Sequence, residues 1–239
     1  KKSVFKDWKA HGWVDLRQAL AVSSNVYFYE IGGGFGGQRG LEIEKINSYV
    51  KAFGIGEETG INLYESKGII PSPEWKKENF DGEVWRLGDT YNTAIGQYGF
   101  QVTPIQMVRA IGAIANNGWI VTPTVLFGDQ INLKKIPIDI PQKFFDIVKE
   151  GMRESVLSGT AKGLNISNFN IAAKTGTAEL GSIKKSVNSW AVGFFPYENP
   201  KYAFAMVMEK GPRDNVIGSV FVMRGLFDWM IQNTPEYNK

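Results

Sequence analysis

The sequence predicts an α+β fold built on an antiparallel sheet. Three observations carry that prediction. Helical periodicity dominates residues 14–160. The last third turns β-rich, with runs at 188–195 and 201–209 separated by the turn-forming stretch 196–200, which reads as a hairpin. An apolar helix over 217–232 then closes the chain. The expected layout is one domain over 1–239, with a mainly helical lobe at 14–160 and the strands and closing helix at 165–239.

Taken in order, residues 1–12 are polar and aromatic without a clear period. Asp15 offers an N-cap, and Leu16, Ala19, Leu20, Tyr27 and Phe28 recur at roughly helical spacing. Ser23-Ser24-Asn25 interrupts that run, because small polar side chains compete for backbone hydrogen bonds and favour caps. Residues 32–40 are glycine-rich and read as a loop. Gly32, Gly34 and Gly37 match G-x-G-x-x-G, but a helical segment precedes them where a phosphate-binding turn needs a strand. Residues 41–53 form an amphipathic helix stopped by Gly54. The stretch 54–90, rich in Gly, Pro and Trp, reads as irregular. Thr103-Pro104 is a helix start, with Thr as N-cap and Pro at the first helical position; Asn117-Gly118 ends that helix. A further helix covers 144–157. Residues 169–173 alternate like a strand that ends at Lys174-Thr175-Gly176-Thr177.

Composition narrows the function. Apolar residues at 43% and charged residues at 21% exclude a disordered chain. A net charge of +3 gives no footing for nucleic-acid binding. With 0 Cys there is no disulfide framework, zinc ribbon or thiol nucleophile. One His, His11, excludes a multi-His metal site, argues against a Ser-His-Asp triad, and reads as a loop or packing residue. Proton transfer then falls to Lys, Asp, Glu or Tyr. No apolar run approaches the ~18 residues of a membrane span. The sequence starts at Lys1 without an initiator Met, so it is expected to be a piece of a longer protein.

Two short segments carry chemistry. Ser23-Ser24-Asn25 sits in the helical part, and Lys174-Thr175-Gly176-Thr177 lies on a strand. Gly176 allows a substrate backbone to approach. The Thr175 and Thr177 hydroxyls and the Lys174 ammonium offer donors to a carboxylate, and a free strand edge can pair with an extended peptide. The bland alternative is a polar strand end. Lys76-Lys77 and Lys184-Lys185 read as solvated surface pairs, and Trp75, Trp85 and Trp190 as core or groove-lining.

Together, Ser-x-Asn and Lys-Thr-Gly are two of the three signature elements of penicillin-interacting serine acyltransferases. The text around them agrees. VDLRQALAVSSNVYFYEIG (14–32), GDTYNTAIGQYGFQVTPIQMVRAIGAIANNG (88–118), IAAKTGTAE (171–179) and SWAVGFFPYENPKYAFAMVMEKG (189–211) resemble the corresponding segments of class B penicillin-binding proteins, nearest the elongation-type branch. The resemblance implies the serine β-lactamase-like transpeptidase fold, incomplete at its N-terminus. It implies a D,D-transpeptidase that cross-links peptidoglycan stem peptides through a serine acyl-enzyme and binds β-lactams. Ser23 would lie in the proton path, Asn25 would hold the substrate amide, and Lys174 would set the field for proton transfer. Thr175 and Thr177 would bind the substrate carboxylate beside Gly176, and the Thr177 backbone N–H would supply an oxyanion donor. No metal or organic cofactor is implied. Implied partners are stem peptides, β-lactams and cell-elongation membrane proteins, and no nucleic acid. The implied location is the extracytoplasmic face of the bacterial membrane, with an N-terminal anchor absent from this sequence. Alternatives are a β-lactam sensor domain, a serine β-lactamase or a non-catalytic cell-wall scaffold.

The pattern breaks at the nucleophile motif. Ser3-Val4-Phe5-Lys6 fits Ser-x-x-Lys formally, but only 20 residues ahead of Ser23, without flanking Pro-Gly and without a helical pattern behind it. It reads as coincidence, and the nucleophile segment as missing, so this chain alone is expected to be inactive. Ala173 stands where Gly is common before the Lys. Gln97-Tyr98-Gly99 permutes a usual Gln-Gly-aromatic order.

Overall fold

The computed structural model describes residues 4–127, 134–181, 183, 185–215 and 217–238. Eight α-helices, two short 3-10 helices and two sheets are formed among them. The fold is α+β, as the sequence predicts.

Helix α1 (Leu16–Val22) starts where Asp15 caps it; the carboxylate accepts from Gln18 N–H and the Gln18 side chain returns to Asp15 N–H. The predicted interruption is real. Ser23 adopts the left-handed conformation and ends α1, and the Ser24 hydroxyl caps α2 (Asn25–Gly33). Gly32 belongs to α2, and its Cα lies so close to Ala94 that a Cβ would come within 2.5 Å. The glycine motif therefore packs helix on helix, with no strand before it. Helix α3 (Glu42–Ala52) ends before Gly54, whose φ is +75°. Helix α6 (Pro104–Ala115) begins at the predicted Thr103 cap with Gln106 completing the box, and α7 spans Gln142–Leu157.

The stretch 54–90 is not irregular throughout. It holds α4 (Pro73–Asn79), capped by Ser72 with Pro73 first, and α5 (Leu87–Ala94). Each spans two turns or so, too short for a full apolar stripe, so periodicity misses them. Lys76 on α4 is not a surface lysine. It is 2% exposed, with Nζ 2.8 Å from Asp89 Oδ2 on α5 and 3.3 Å from Glu83 Oε2. Asp89 holds the Lys76 ammonium above its ordinary value. A small antiparallel pair, β1 (Trp119–Val121) and β2 (Lys135–Pro137), has no alternation in sequence to mark it, both strands being only three residues long.

The main sheet has the order β3-β4-β5, antiparallel throughout, from β3 (Ala172–Leu180), β4 (Ser186–Phe195) and β5 (Tyr202–Pro212). The last two are the predicted hairpin. Strand β3 starts later than expected and runs through 174–177, which lies mid-strand and not at its end. Alternation splits the sheet between two cores. Ala172, Val192 and Phe194 pack with Ile111 of α6 and Met152 of α7. Ala173, Ala191 and Phe195 pack with Phe169 and with Met223 and Phe227 of α8 (Ser219–Asn233). The sheet is thus sandwiched between α6–α7 and α8. Burying each of Phe169, Phe194 and Phe227 contributes about 1.5–3 kcal/mol. Helix α1 lies along α7, which lies on β3. This stacking carries the α1–α2 break to the β3 edge.

Candidate active site

Ser23 and Lys174 meet although 151 residues separate them. Lys174 Nζ donates to Ser23 Oγ at 2.7 Å and to the Thr175 carbonyl at 2.7 Å. Burial pushes the Lys174 ammonium down from its ordinary 10.5 to about 8. Near neutrality the amine is therefore present in both protonation states, and it touches a hydroxyl able to relay its proton.

Beside Ser23 lies a cavity of about 680 Å³, within the usual range for small-molecule sites. Ser23 and Asn25 line one side, Thr175, Gly176 and Thr177 of β3 another, and Gly218, Ser219 and Arg224 a third. Ser23, Asn25, Thr175, Gly176 and Thr177 thus line one cavity, and Lys174 adjoins it through its hydrogen bond to Ser23. Trp190 lines the cavity as anticipated, and it also explains Gly176. A Cβ there would come within 3.3 Å of the Trp190 Cβ on the facing strand.

The β3 edge is polarised. Gln97 Nε2 donates to the Thr177 carbonyl at 3.0 Å, so that carbonyl points away from β4. A strand residue directs its N–H and C=O to the same edge, so the Thr177 N–H also faces the open side. It is available there to an oxyanion.

Several participants are absent from the sequence reading. Thr160, in the turn after α7, accepts from Thr175 Oγ1 at 2.7 Å, and its N–H donates to the Ala21 carbonyl at 3.0 Å. One threonine therefore joins β3 to α1. Ser219 N–H donates to Ser189 Oγ at 3.1 Å, fixing the α8 start against β4. Gln97 donates to Thr177, and the next residue, Tyr98, takes a left-handed φ of 63°. None of these has a motif of its own; only tertiary contact reveals them. His11 is a packing residue, edge-on to Trp8 at 5.1 Å between ring centres.

Of the formal nucleophile match, Ser3 lies outside the described residues, as does Lys184 of the second lysine pair. Ser48-Tyr49-Val50-Lys51 has the same spacing, but it lies on α3 and lines no part of the cavity.

Residues 1–220 match the penicillin binding protein transpeptidase domain model. The chain belongs to the penicillin-binding protein transpeptidase family. Among its relatives, the peptidoglycan D,D-transpeptidase MrdA of Acinetobacter baumannii is 34% identical over 87% of this chain. The enzyme of the same name from Escherichia coli K12 is 30% identical over 94%. The chain spans 34% and 38% of those two proteins respectively. Among solved structures, a complex of penicillin-binding protein 2 with MreC from Helicobacter pylori superposes with a TM-score of 0.81 at 32% identity, covering 98% of this chain and 43% of that one. Penicillin-binding protein 2 of Pseudomonas aeruginosa in complex with WCK 5153 gives 0.77 at 28% identity, covering 98% and 54%. The transpeptidase-family fold and motif neighbourhood therefore extend over nearly the whole chain.

Proposed function

We propose that this chain is the Ser-x-Asn and Lys-Thr-Gly portion of a serine D,D-transpeptidase of the elongation type, which cross-links peptidoglycan stem peptides and is acylated by β-lactams. The observation that carries this reading is the 2.7 Å contact of Lys174 Nζ with Ser23 Oγ beside an open strand edge. The names of the relatives support it.

In the proposed reaction a serine oxygen attacks the carbonyl before a terminal D-Ala. The C–N bond to that D-Ala breaks, and the proton released by the serine reaches the leaving amine through Ser23, with Lys174 holding the relay. The Thr177 N–H receives the developing oxyanion, an interaction worth about 3 kcal/mol in well-studied hydrolases. Thr175 and Thr177 hold the substrate carboxylate, and Asn25 its amide. The amine of a neighbouring stem peptide then takes the acyl group. Peptidoglycan lies outside the cytoplasmic membrane, so the proposed site of action is its outer face. A membrane protein of the elongation machinery is the proposed partner; penicillin-binding protein 2 of Helicobacter pylori forms a complex with MreC.

The test is intact-mass spectrometry and peptide mapping of the full-length protein after incubation with penicillin. One adduct of the penicillin mass is expected on a single serine. No adduct overturns the reading. An adduct on Ser3 assigns the nucleophile to Ser3-Val4-Phe5-Lys6. Acylation without transfer of a stem peptide to an amine acceptor favours a sensor domain instead.

A further inference from the structure

The α1–α2 break creates a local problem of hydrogen bonding. A helix C-terminus leaves carbonyls without partners, and a helix N-terminus leaves N–H groups without partners. Here both ends fall within four residues of each other, around a serine held at φ 58° and ψ 49°. A left-handed non-glycine residue is strained and persists only where its surroundings impose it.

Two adjacent residues of the irregular N-terminal segment answer both ends. The Trp8 indole N–H donates to the Val22 and Ser23 carbonyls, each at 3.1 Å. The neighbouring Asp7 carboxylate accepts from Ser24 Oγ at 2.6 Å, Asn25 N–H at 3.1 Å and Val26 N–H at 3.3 Å. Donor and acceptor are thus placed in the order that the break requires, and a carboxylate at the start of α2 also suits the helix dipole. The bonds from Ser24, Asn25 and Val26 hold Asp7 below its ordinary value against the opposing effect of burial. His11 packs behind the pair, with its ring against Trp8 and Nε2 3.7 Å from Asp7 Oδ1. Trp8 also lines the cavity.

We propose that Asp7 and Trp8 are positioning residues for Ser23: together they clamp the α1–α2 turn in the one backbone state that sets the Ser23 hydroxyl on Lys174. The clamp acts through Ser23 and makes no contact of its own with the reacting atoms. Its catalytic meaning rests on the proton-relay reading above, but its structural content does not.

The test is a double-variant cycle read at Lys174. The pH midpoint of Lys174 acetylation by acetic anhydride is measured by mass spectrometry in the wild type, Ser23→Ala, Trp8→Phe and the double variant. Asp7→Asn, alone and with Ser23→Ala, tests the other half of the clamp. Loss of the Ser23 acceptor removes a hydrogen bond to the charged amine, so S23A lowers the midpoint by about one pH unit. If the clamp positions Ser23, W8F and D7N lower it in the same direction. Each double variant then falls no further than S23A alone, because the same contact has already gone. Midpoints unchanged in W8F and D7N overturn the proposal, as do shifts that simply add to that of S23A. Trp8→Phe keeps the ring against His11, and Trp13→Phe, at a fully exposed position, controls for loss of a tryptophan. Since the readout needs no acylation, failure of the clamp and failure of the transpeptidase reading are separately visible. Additive shifts with a penicillin adduct reject only the clamp, and coupled shifts without an adduct reject only the enzyme.

Discussion

Thr160 joins the two motif-bearing elements: its hydroxyl receives the Thr175 Oγ1 proton at 2.7 Å while its N–H holds the Ala21 carbonyl at 3.0 Å. The distance between α1 and β3, and so between Ser23 and Lys174, depends on this turn. Replacing Thr160 by Val keeps the shape and removes the acceptor. A loss of about 1 kcal/mol is expected, read as a lower urea midpoint with an unchanged slope. A midpoint equal to wild type would show that water replaces the bond at no cost.

Ser23→Ala leaves Lys174 with the Thr175 carbonyl as its remaining hydrogen-bond acceptor from the pair described. If Ser23 relays the proton, penicillin acylation of the full-length protein slows by about 10²- to 10⁴-fold, the range for loss of a positioned acid–base group. Stopped-flow with a fluorescent penicillin measures this directly. A change under threefold removes Ser23 from the proton path.

Lys174 links stability to pH with a definite sign. Its value falls from 10.5 to about 8 on folding, because burial disfavours the charged form. Between those values the unfolded chain binds more protons than the folded one, so this group raises stability as pH rises through the window. Lys174→Met lacks that contribution. The stability difference between the two proteins should therefore shift toward wild type from pH 8 to 10.5 and stay flat below 8. Urea titrations at half-unit intervals would show it, and a flat difference across the whole range contradicts a depressed Lys174.

Two helical glycines should respond oppositely to Ala. At Gly32 the new methyl meets the Ala94 Cβ at 2.5 Å, between α2 and α5. Overpacking of this kind destabilises by about 1–3 kcal/mol. At Gly112, inside α6, nothing lies within 4 Å of a new Cβ. There the gain in helix propensity stabilises by roughly 0.5–1 kcal/mol. Thermal melts of G32A and G112A decide both, and a stabilised G32A would mean that α2 and α5 separate easily.

Asp89 should matter more than Glu83 to the α4–α5 junction. It is the nearer partner of Lys76 Nζ, at 2.8 Å against 3.3 Å, and Asp89 Oδ2 also accepts from Arg86 N–H. Asp89→Asn leaves a buried ammonium facing a neutral amide, whereas Glu83→Gln alters a half-exposed side chain. D89N should lower the melting temperature clearly and E83Q little. Equal effects would place the two carboxylates on the same footing.

Local grammar is legible in the residues alone. Asp15 and Thr103 start helices because their side chains meet backbone N–H groups a turn ahead, and Ser24 starts α2 for the same reason. The β4–β5 hairpin was legible because its strands are long and separated by a turn. The motifs picked out Ser23, Asn25 and 174–177, which the structure brings together, since residue identity and order need no fold to be read. Tertiary structure decided the rest. The lysine pair at 76–77 looks solvated in sequence, yet α5 lays Asp89 over Lys76 and makes burial tolerable. Helices α4 and α5 are too short to announce a period, and their packing holds them. Nothing near Lys174 in the chain predicts its depressed value. That value follows from the layer of α1 on α7 on β3, which encloses the amine and brings it to Ser23 across 151 residues. Hydrogen bonds within a turn can be written in a few adjacent residues, but burial is a property of what the distant chain places on top.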